Sequence, residues 1–157
     1  NRTCFNGLYR VNSKGKFNVP LGRYTNPNIV NEENLRSVSN ILQSQNVSIQ
    51  CRDFDAILHD AKKGDFVYFD PPYLIAASEY NKLWGDDAET SLLNLIDRLD
   101  KKGVKFALSN VTHYNGSKND SLIKWMKKYK VHNIKSNYIS YHNNTKKRIK
   151  EVLITNY

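Results

Sequence analysis

From residue 46 onward, short apolar runs alternate with helical segments, and this alternation constrains the fold more than any other feature of the sequence. Residues 66–69 and 106–108 are uniformly apolar, which is typical of parallel strands buried on both faces. The predicted strands are 47–51, 66–69, 104–108 and 131–135, the predicted helices are 54–62, 87–102 and 120–128, and a final hairpin ends at 151–155. The sequence therefore predicts an α/β, doubly wound parallel sheet with an antiparallel edge.

The first 45 residues have a different character. Residues 4–20 predict a hairpin whose turn, 12–15, ends on Gly15, a residue able to adopt positive φ. A helix is expected to begin near Asn31, with two glutamates in its first turn. Its apolar stripe consists of Leu35, Val38, Ile41 and Leu42.

Charge is distributed unevenly along the chain. The 157 residues carry 24 lysine and arginine side chains against 15 aspartate and glutamate, a formal net charge of +9. Residues 51–100 have 5 basic and 11 acidic side chains, whereas residues 101–157 have 13 basic and 2 acidic ones. Basic ends around an acidic centre indicate a polyanionic partner, although a solvated lysine-rich surface would have the same composition.

The cysteine content and the hydropathy indicate a compartment. Cys4 and Cys51 are too few for a disulfide framework, and no apolar run approaches the roughly 20 residues that a membrane span needs. No secretory leader pattern is present. A cytoplasmic protein without a membrane partner is therefore expected.

The tetrapeptide 70–73, Asp-Pro-Pro-Tyr, directly follows a predicted strand. Its prolines stiffen the backbone and leave carbonyl acceptors without N–H donors. A carboxylate and an aromatic face beside those carbonyls complement a planar aromatic amine. An ordinary turn is the alternative interpretation, but ligands of open α/β sheets bind beyond the carboxyl ends of strands, which favours a functional site.

These residues resemble the catalytic motif of N6-adenine DNA methyltransferases. Residues 1–12 (NRTCFNGLYRVN) and 17–24 (FNVPLGRY) resemble the DNA-contacting hairpin of Dam-type adenine methylases. Residues 108–110 and the basic segment 143–148 also match the family pattern. The resemblance implies a partial Rossmann-like, S-adenosylmethionine-dependent methyltransferase sheet, 46–157, with a DNA-recognition hairpin and helix, 1–45, preceding it.

The resemblance implies a site-specific DNA adenine N6-methyltransferase that acts on an adenine flipped out of double-stranded DNA, within GATC. Asp70 and the Pro71 carbonyl would each accept one N6–H, Pro72 would keep the backbone stiff, and Tyr73 would stack on the base.

DNA contacts are implied for the hairpin and for the basic C-terminal segment. Arg10 would read a guanine, Leu8 and Pro20 would pack against a thymine, Asn6 would hold the backbone, and Phe5 would fill the space the adenine leaves. A phosphate contact for Arg10 and a small satellite core for Phe5 are the alternatives. The remaining side chains assigned to DNA are Asn12, Arg23, Asn144, Lys146, Lys147 and Arg148.

The resemblance places the adenosyl end of S-adenosylmethionine at Asp53 and Phe54, with Asp70 also near the cofactor. A helix N-cap accounts for Asp53 equally well. No metal is expected, because the four histidines, His59, His113, His132 and His142, lack ligand spacing.

The sequence departs from the family in one respect. None of its seven glycines forms the glycine-rich turn that holds the methionine part of the cofactor. We therefore expect a C-terminal portion of a longer enzyme, inactive by itself and prone to self-association. Its parent would act either with a cognate restriction endonuclease or as a solitary methylase, and the sequence leaves both open. The alternatives are a non-catalytic DNA-binding module and an RNA- or protein-directed methyltransferase.

Overall fold

The computed structural model describes residues 3–44, 46–76, 83–135 and 149–157, apart from the side chain of Asn6. The chain forms two compact units, Asn1–Cys51 and Arg52–Tyr157. The functional division between residues 45 and 46 stays a prediction.

The larger unit is built on one sheet. Its strands are β1 (Phe66–Phe69), β2 (Lys105–Tyr114), β3 (Ser117–Lys118), β4 (Lys130–Ile134) and β5 (Ile149–Thr155). The strand order is β1-β2-β5-β4, with β3 paired to β2 beside this path. Strands β1 and β2 are parallel, whereas β5 is antiparallel to both β2 and β4. The α/β class is confirmed, but the expectation of a mainly parallel sheet is wrong for the described pairings.

The last strand corrects a second expectation. An antiparallel strand at 149–155 is confirmed, yet it lies inside the sheet, and β4 occupies the edge. Local periodicity identifies strands but carries no information on the order in which they pair, because the hydrogen-bonding partners are distant in the sequence.

The helices of this unit are α2 (Ile57–Asp60), α3 (Asp86–Lys101) and α4 (Asp120–Trp125). Short 3₁₀ turns precede α2 at Phe54–Ala56 and follow α4 at Met126–Lys128. Acidic residues occupy the first turn of α3 and basic residues its last, as the helix dipole favours. Gly103, at φ +79°, ends the helix in a left-handed conformation. Helix α4 is capped by Asn119, whose side chain accepts a hydrogen bond from the Leu122 backbone N–H at 3.0 Å.

The core of this unit lies between α3, α4 and the sheet. Ile96 and Leu99 from α3 and Phe106, Leu108 and Ile154 from the sheet are fully buried. Phe69, the last residue of β1, is buried in the same core, so the chain leaving β1 starts from a fixed position.

Two sequence-based expectations near β1 are wrong. Residues 47–51 form no strand, and Val47 and Ile49 are exposed. Their alternation satisfies a strand pattern, but a strand also needs a neighbour for its backbone hydrogen bonds. Strand β1 itself is not buried on both faces, since Phe66 and Tyr68 are more than half exposed.

The smaller unit contains the predicted hairpin and helix. Bridges join Cys4 to Leu21 and Val11 to Phe17, and the Gly15 turn has φ +72°. The first arm includes a 3₁₀ turn at Phe5–Gly7, which was not predicted.

Helix α1 (Glu32–Leu42) begins after Asn31, as expected, and the Asn31 side chain accepts a hydrogen bond from the Asn34 backbone N–H at 3.3 Å. No residue of α1 is buried. None of the helices in the described residues has the length and apolar character needed to cross a membrane.

Candidate active site and hairpin surface

The chain leaves β1 through Asp70 to Tyr73 at the carboxyl end of the strand. Phe69 pairs with Leu108, so Asp70 and Ser109 are the next residues along two parallel neighbours. Asp70 is exposed, while Pro71, Pro72 and Tyr73 are half-buried. The predicted motif therefore combines an accessible carboxylate with a stiff, partly sheltered backbone, which suits recognition of an amine.

The Tyr73 hydroxyl connects three parts of this site. It lies 2.9 Å from the Ser109 Oγ on β2, 3.3 Å from the Glu151 Oε1 on β5, and 3.5 Å from the Asp70 Oδ1. A phenol has one proton to donate, so it cannot donate to all three at once. Sequence reasoning missed Glu151, because no local pattern connects a strand residue to a tyrosine 78 positions earlier.

A second polar cluster is buried behind the site, around Glu89 in the first turn of α3. Its side chain is fully buried and accepts three hydrogen bonds. The donors are the Asn119 amide at 2.9 Å, the Trp84 indole at 3.0 Å and the Asn110 amide at 3.2 Å. Sequence reasoning missed this cluster too, because three acidic residues in a first helical turn suggest only a solvated, dipole-stabilising end.

Asp53 and Phe54, two of the three residues assigned to the cofactor, lie in the larger unit near α3. The Asp53 side chain accepts a hydrogen bond from the Asp55 N–H at 3.3 Å, so it caps the following turn. The Phe54 and Trp84 rings are 5.8 Å apart between centroids. Trp84 thus connects the buried Glu89 cluster to the aromatic face predicted to meet the cofactor.

A cleft of about 480 Å³ opens beside this aromatic pair. It is lined by Asp53, Phe54, Asp55, Ala88, Ser91, Asn94, Leu95 and Arg98. Residues 70–73 are not among these lining residues.

In the smaller unit, Arg10 is held across the hairpin by Asn18. The Arg10 Nε and Nη2 donate to the Asn18 side-chain oxygen and carbonyl oxygen, both at 3.0 Å. A guanidinium has five N–H donors, so a two-point contact to a further ligand falls to its two terminal nitrogens. The Arg10 side chain is exposed and already oriented.

The other predicted DNA contacts are placed as follows. Asn12 has a structural task, because its side-chain oxygen accepts the Lys14 and Lys16 N–H groups at 2.9 and 3.0 Å. Leu8, Pro20 and Arg23 are exposed and Phe5 is half-buried. Four predicted contacts, Asn144, Lys146, Lys147 and Arg148, lie outside the described residues, as does the Asn6 side chain.

Within the described part of the chain, no group of three histidine, cysteine, aspartate or glutamate side chains is arranged to bind a metal.

Asp97 is involved in a separate interaction on the outer side of α3. It accepts hydrogen bonds from Lys128 at 2.7 Å, Tyr129 at 2.8 Å and Trp125 at 2.9 Å. Burial, followed by the hydrogen bond to Asp97, raises the pKa of the Tyr129 phenol far above its usual range. This cluster fixes α4 against α3.

Comparison with known proteins yields consistent matches. Residues 1–139 match the family model described as D12 class N6 adenine-specific DNA methyltransferase. The chain is 47% identical, over 70% of its length, to the type II methyltransferase M.MjaIII of Methanocaldococcus jannaschii. It is 38% identical to M.FokI of Planomicrobium okeanokoites and 37% identical to M1.LlaDCHI of Lactococcus lactis subsp. cremoris, over 98% and 99% of its length. These matches cover 39%, 25% and 55% of the three relatives.

Proposed function

Because the chain belongs to the D12 class of N6 adenine-specific DNA methyltransferases, we propose that it serves methyl transfer from S-adenosylmethionine to the N6 amine of an adenine in double-stranded DNA. The observation that carries this proposal is the placement of Asp70 to Tyr73 at the carboxyl end of β1, beside β2. The activity is proposed for the complete encoded protein, since the chain spans between a quarter and about half of those relatives.

The proposed chemistry follows from the acceptors at residues 70 and 71. The N6 amine of adenine is a poor nucleophile because its lone pair is conjugated with the ring. Asp70 and the Pro71 carbonyl would accept one N6–H each, which draws the nitrogen towards tetrahedral geometry and frees the lone pair. Preorganised acceptors stabilise the positive charge that develops on nitrogen as the new N–C bond forms.

Tyr73 is proposed to provide the face on which the flipped base stacks. Flipping costs a few kcal/mol of lost stacking, which an aromatic platform partly restores. The hydrogen bonds of the Tyr73 hydroxyl support this role, because a ring fixed at its far end keeps one orientation.

The methyl donor supplies an electrophilic methyl group. Asp53 and Phe54 fit its adenosyl end, because a carboxylate can accept from ribose or amine donors while the aromatic ring covers the base. The sequence contains no glycine-rich turn for the methionine end. We therefore propose that this chain alone binds S-adenosylmethionine weakly or not at all.

GATC is the proposed target, with Arg10 reading the guanine through its two terminal nitrogens. Support comes from the Arg10 contacts to Asn18 and from the exposure of Leu8 and Pro20 on the same hairpin. A cognate restriction endonuclease and self-association of this chain are further proposals. Sedimentation that finds only monomer at tens of micromolar would count against self-association.

The activity is tested with Asp70→Ala in the complete encoded protein. N6-methyladenine in a GATC duplex is quantified by mass spectrometry, and DNA affinity is measured in parallel. We expect methylation to disappear while affinity stays close to that of the wild type. Asp87→Ala, which removes an exposed carboxylate from α3, is the matched control and should keep full activity. Retained turnover in Asp70→Ala would remove the assigned role.

A DNA-binding module without catalysis is the second candidate, favoured by the separate compact unit that contains the hairpin. A gel shift of this chain with GATC and scrambled duplexes, read at two salt concentrations, tests it. Preference for GATC that persists at the higher salt would support this function, because phosphate contacts weaken with salt.

A further inference from the structure

We propose that Glu151 is a positioning residue of the methylation site, which accepts a hydrogen bond from the Tyr73 hydroxyl and thereby keeps Asp70 available for the substrate amine. This inference rests on the proposed function and adds a second carboxylate to the site. Glu151 belongs to β5, far in sequence from the motif it would support.

The sheet brings Glu151 to the motif through register. Val111 of β2 pairs with Glu151, and Ser109 pairs with Leu153. Because side chains alternate between the two faces of a strand, Ser109 and Glu151 share one face, opposite that of the buried residues Leu108 and Val152. The Tyr73 hydroxyl lies against both, at 2.9 and 3.3 Å. Through its hydroxyl group, Tyr73 therefore contacts two neighbouring strands of the sheet, β2 and β5.

The role of Glu151 follows from the single proton of the Tyr73 hydroxyl. The Tyr73 hydroxyl has one proton, and among the described residues the carboxylates of Glu151, at 3.3 Å, and Asp70, at 3.5 Å, are within its reach. If the phenol donates to the Asp70 Oδ1, it withdraws negative charge from that carboxylate and weakens it as an acceptor for the N6–H. A carboxylate at position 151 competes for this hydrogen bond, so Asp70 keeps its full acceptor strength for the base. The serine hydroxyl can meanwhile donate to the phenol oxygen.

The distinction between positioning and charge is tested with two substitutions of similar volume in the complete encoded protein. Glu151→Gln keeps an acceptor oxygen and should retain kcat within about twofold, whereas Glu151→Met loses it and should lower kcat about tenfold, the effect of one lost charged hydrogen bond. KM for DNA should stay unchanged in both. Asp87→Met, on the exposed side of α3, controls for the substitution itself.

A double-mutant cycle identifies the route of the effect. Tyr73→Phe keeps the ring and removes the proton for which the two carboxylates compete. If Glu151 acts through that proton, Glu151→Met should have no further effect on kcat in the Tyr73→Phe background. A general structural role would instead lower kcat in both backgrounds equally, and that result would overturn the inference.

The outcomes separate the two levels of the proposal. Wild-type protein without N6 methylation would overturn the proposed function and this inference with it. Active wild-type protein with unchanged kcat in Glu151→Met would overturn the inference alone. A fall in kcat for Glu151→Met that disappears in the Tyr73→Phe background would support it.

Discussion

Helices α1 and α3 are both amphipathic, yet only one of them contributes to a core. The stripe of α1 is exposed, with Leu35 at 57% and Ile41 at 63% of their accessible surface. In α3, Leu92, Ile96 and Leu99 are almost completely buried. The same periodicity thus predicts a helix in both units but says nothing of whether a partner covers the stripe.

The polar side chains of the two units differ in the same way. In the smaller unit, Arg10 is oriented by two hydrogen bonds on an exposed surface. In the larger unit, the fully buried Glu89 is oriented by three hydrogen bonds. An exposed side chain that is already oriented, such as Arg10, suits sequence readout, because it can exchange its bound water for a ligand. A buried side chain that is already oriented, such as Glu89, suits support of a reacting centre, because it has no bound water to give up.

The largest effect is expected for Glu89→Ala in the larger unit, where the oriented side chain is buried. The substitution leaves two buried amide donors and the half-buried Trp84 indole without their acceptor, so we expect a loss of about 3–5 kcal/mol in the free energy of unfolding. Urea unfolding followed by circular dichroism measures it. Asp87→Ala in the same helical turn is the control and should change stability by less than about 0.5 kcal/mol. Equal effects of the two variants would show that the buried cluster contributes no special stability.

The apolar stripes are compared directly with one alanine in each. Leu99→Ala should destabilise the larger unit by about 2–5 kcal/mol, because it leaves a cavity in a packed core. Leu35→Ala in α1 should cost less than about 0.5 kcal/mol, since the side chain is already exposed. The same unfolding experiment measures both. A large loss for Leu35→Ala would mean that the stripe of α1 is covered in solution.

The readout of guanine proposed for the hairpin is expected to give a smaller effect. Arg10→Ala should reduce discrimination for guanine by about 1–3 kcal/mol, measured by competition between GATC and base-substituted duplexes. Asn18→Ala should weaken the same discrimination by a smaller amount, because it frees Arg10 without removing it. Lys14→Ala, on the hairpin turn, is the control. Uniformly weaker binding to all duplexes would assign Arg10 to the phosphate backbone.

The smallest effect is the acid dependence of the cluster around Asp97. Burial alone would raise the pKa of Asp97, but the hydrogen bonds it accepts and the charge of Lys128 hold that pKa below its usual value. As the pH falls, the Asp97 carboxylate is therefore protonated first in the unfolded chain, at about pH 4. The stabilisation is complete above that pH and is lost as the pH falls through the lower pKa of the folded state.

Asp97→Asn should flatten this part of the pH profile while it keeps an acceptor for the aromatic donors. Melting temperatures between about pH 5 and pH 2 measure the change. An unchanged acid dependence in the variant would assign the effect to other carboxylates.

The elements were largely predictable from the sequence, and their partnerships were not. The bounds of α3 and the position of residues 70–73 at a strand end follow from periodicity, helix-end residues and prolines, which are local signals. The position of β5 inside the sheet, the absence of a strand at 47–51 and the burial of Glu89 depend on contacts between distant segments. The Arg10 to Asn18 contact depends on hairpin register, which the turn predicted only in outline.

The position of β5 also sets an order of assembly. Strands β2 and β4 precede β5 in the chain, yet they lie on either side of it and pair with it rather than with each other. The pairing that joins β2 and β4 into one sheet therefore forms only after residues 149–155 have been synthesised. The contact between Tyr73 and Glu151, 78 residues apart, also depends on β5, so the tyrosine gains this partner only when the sheet is complete.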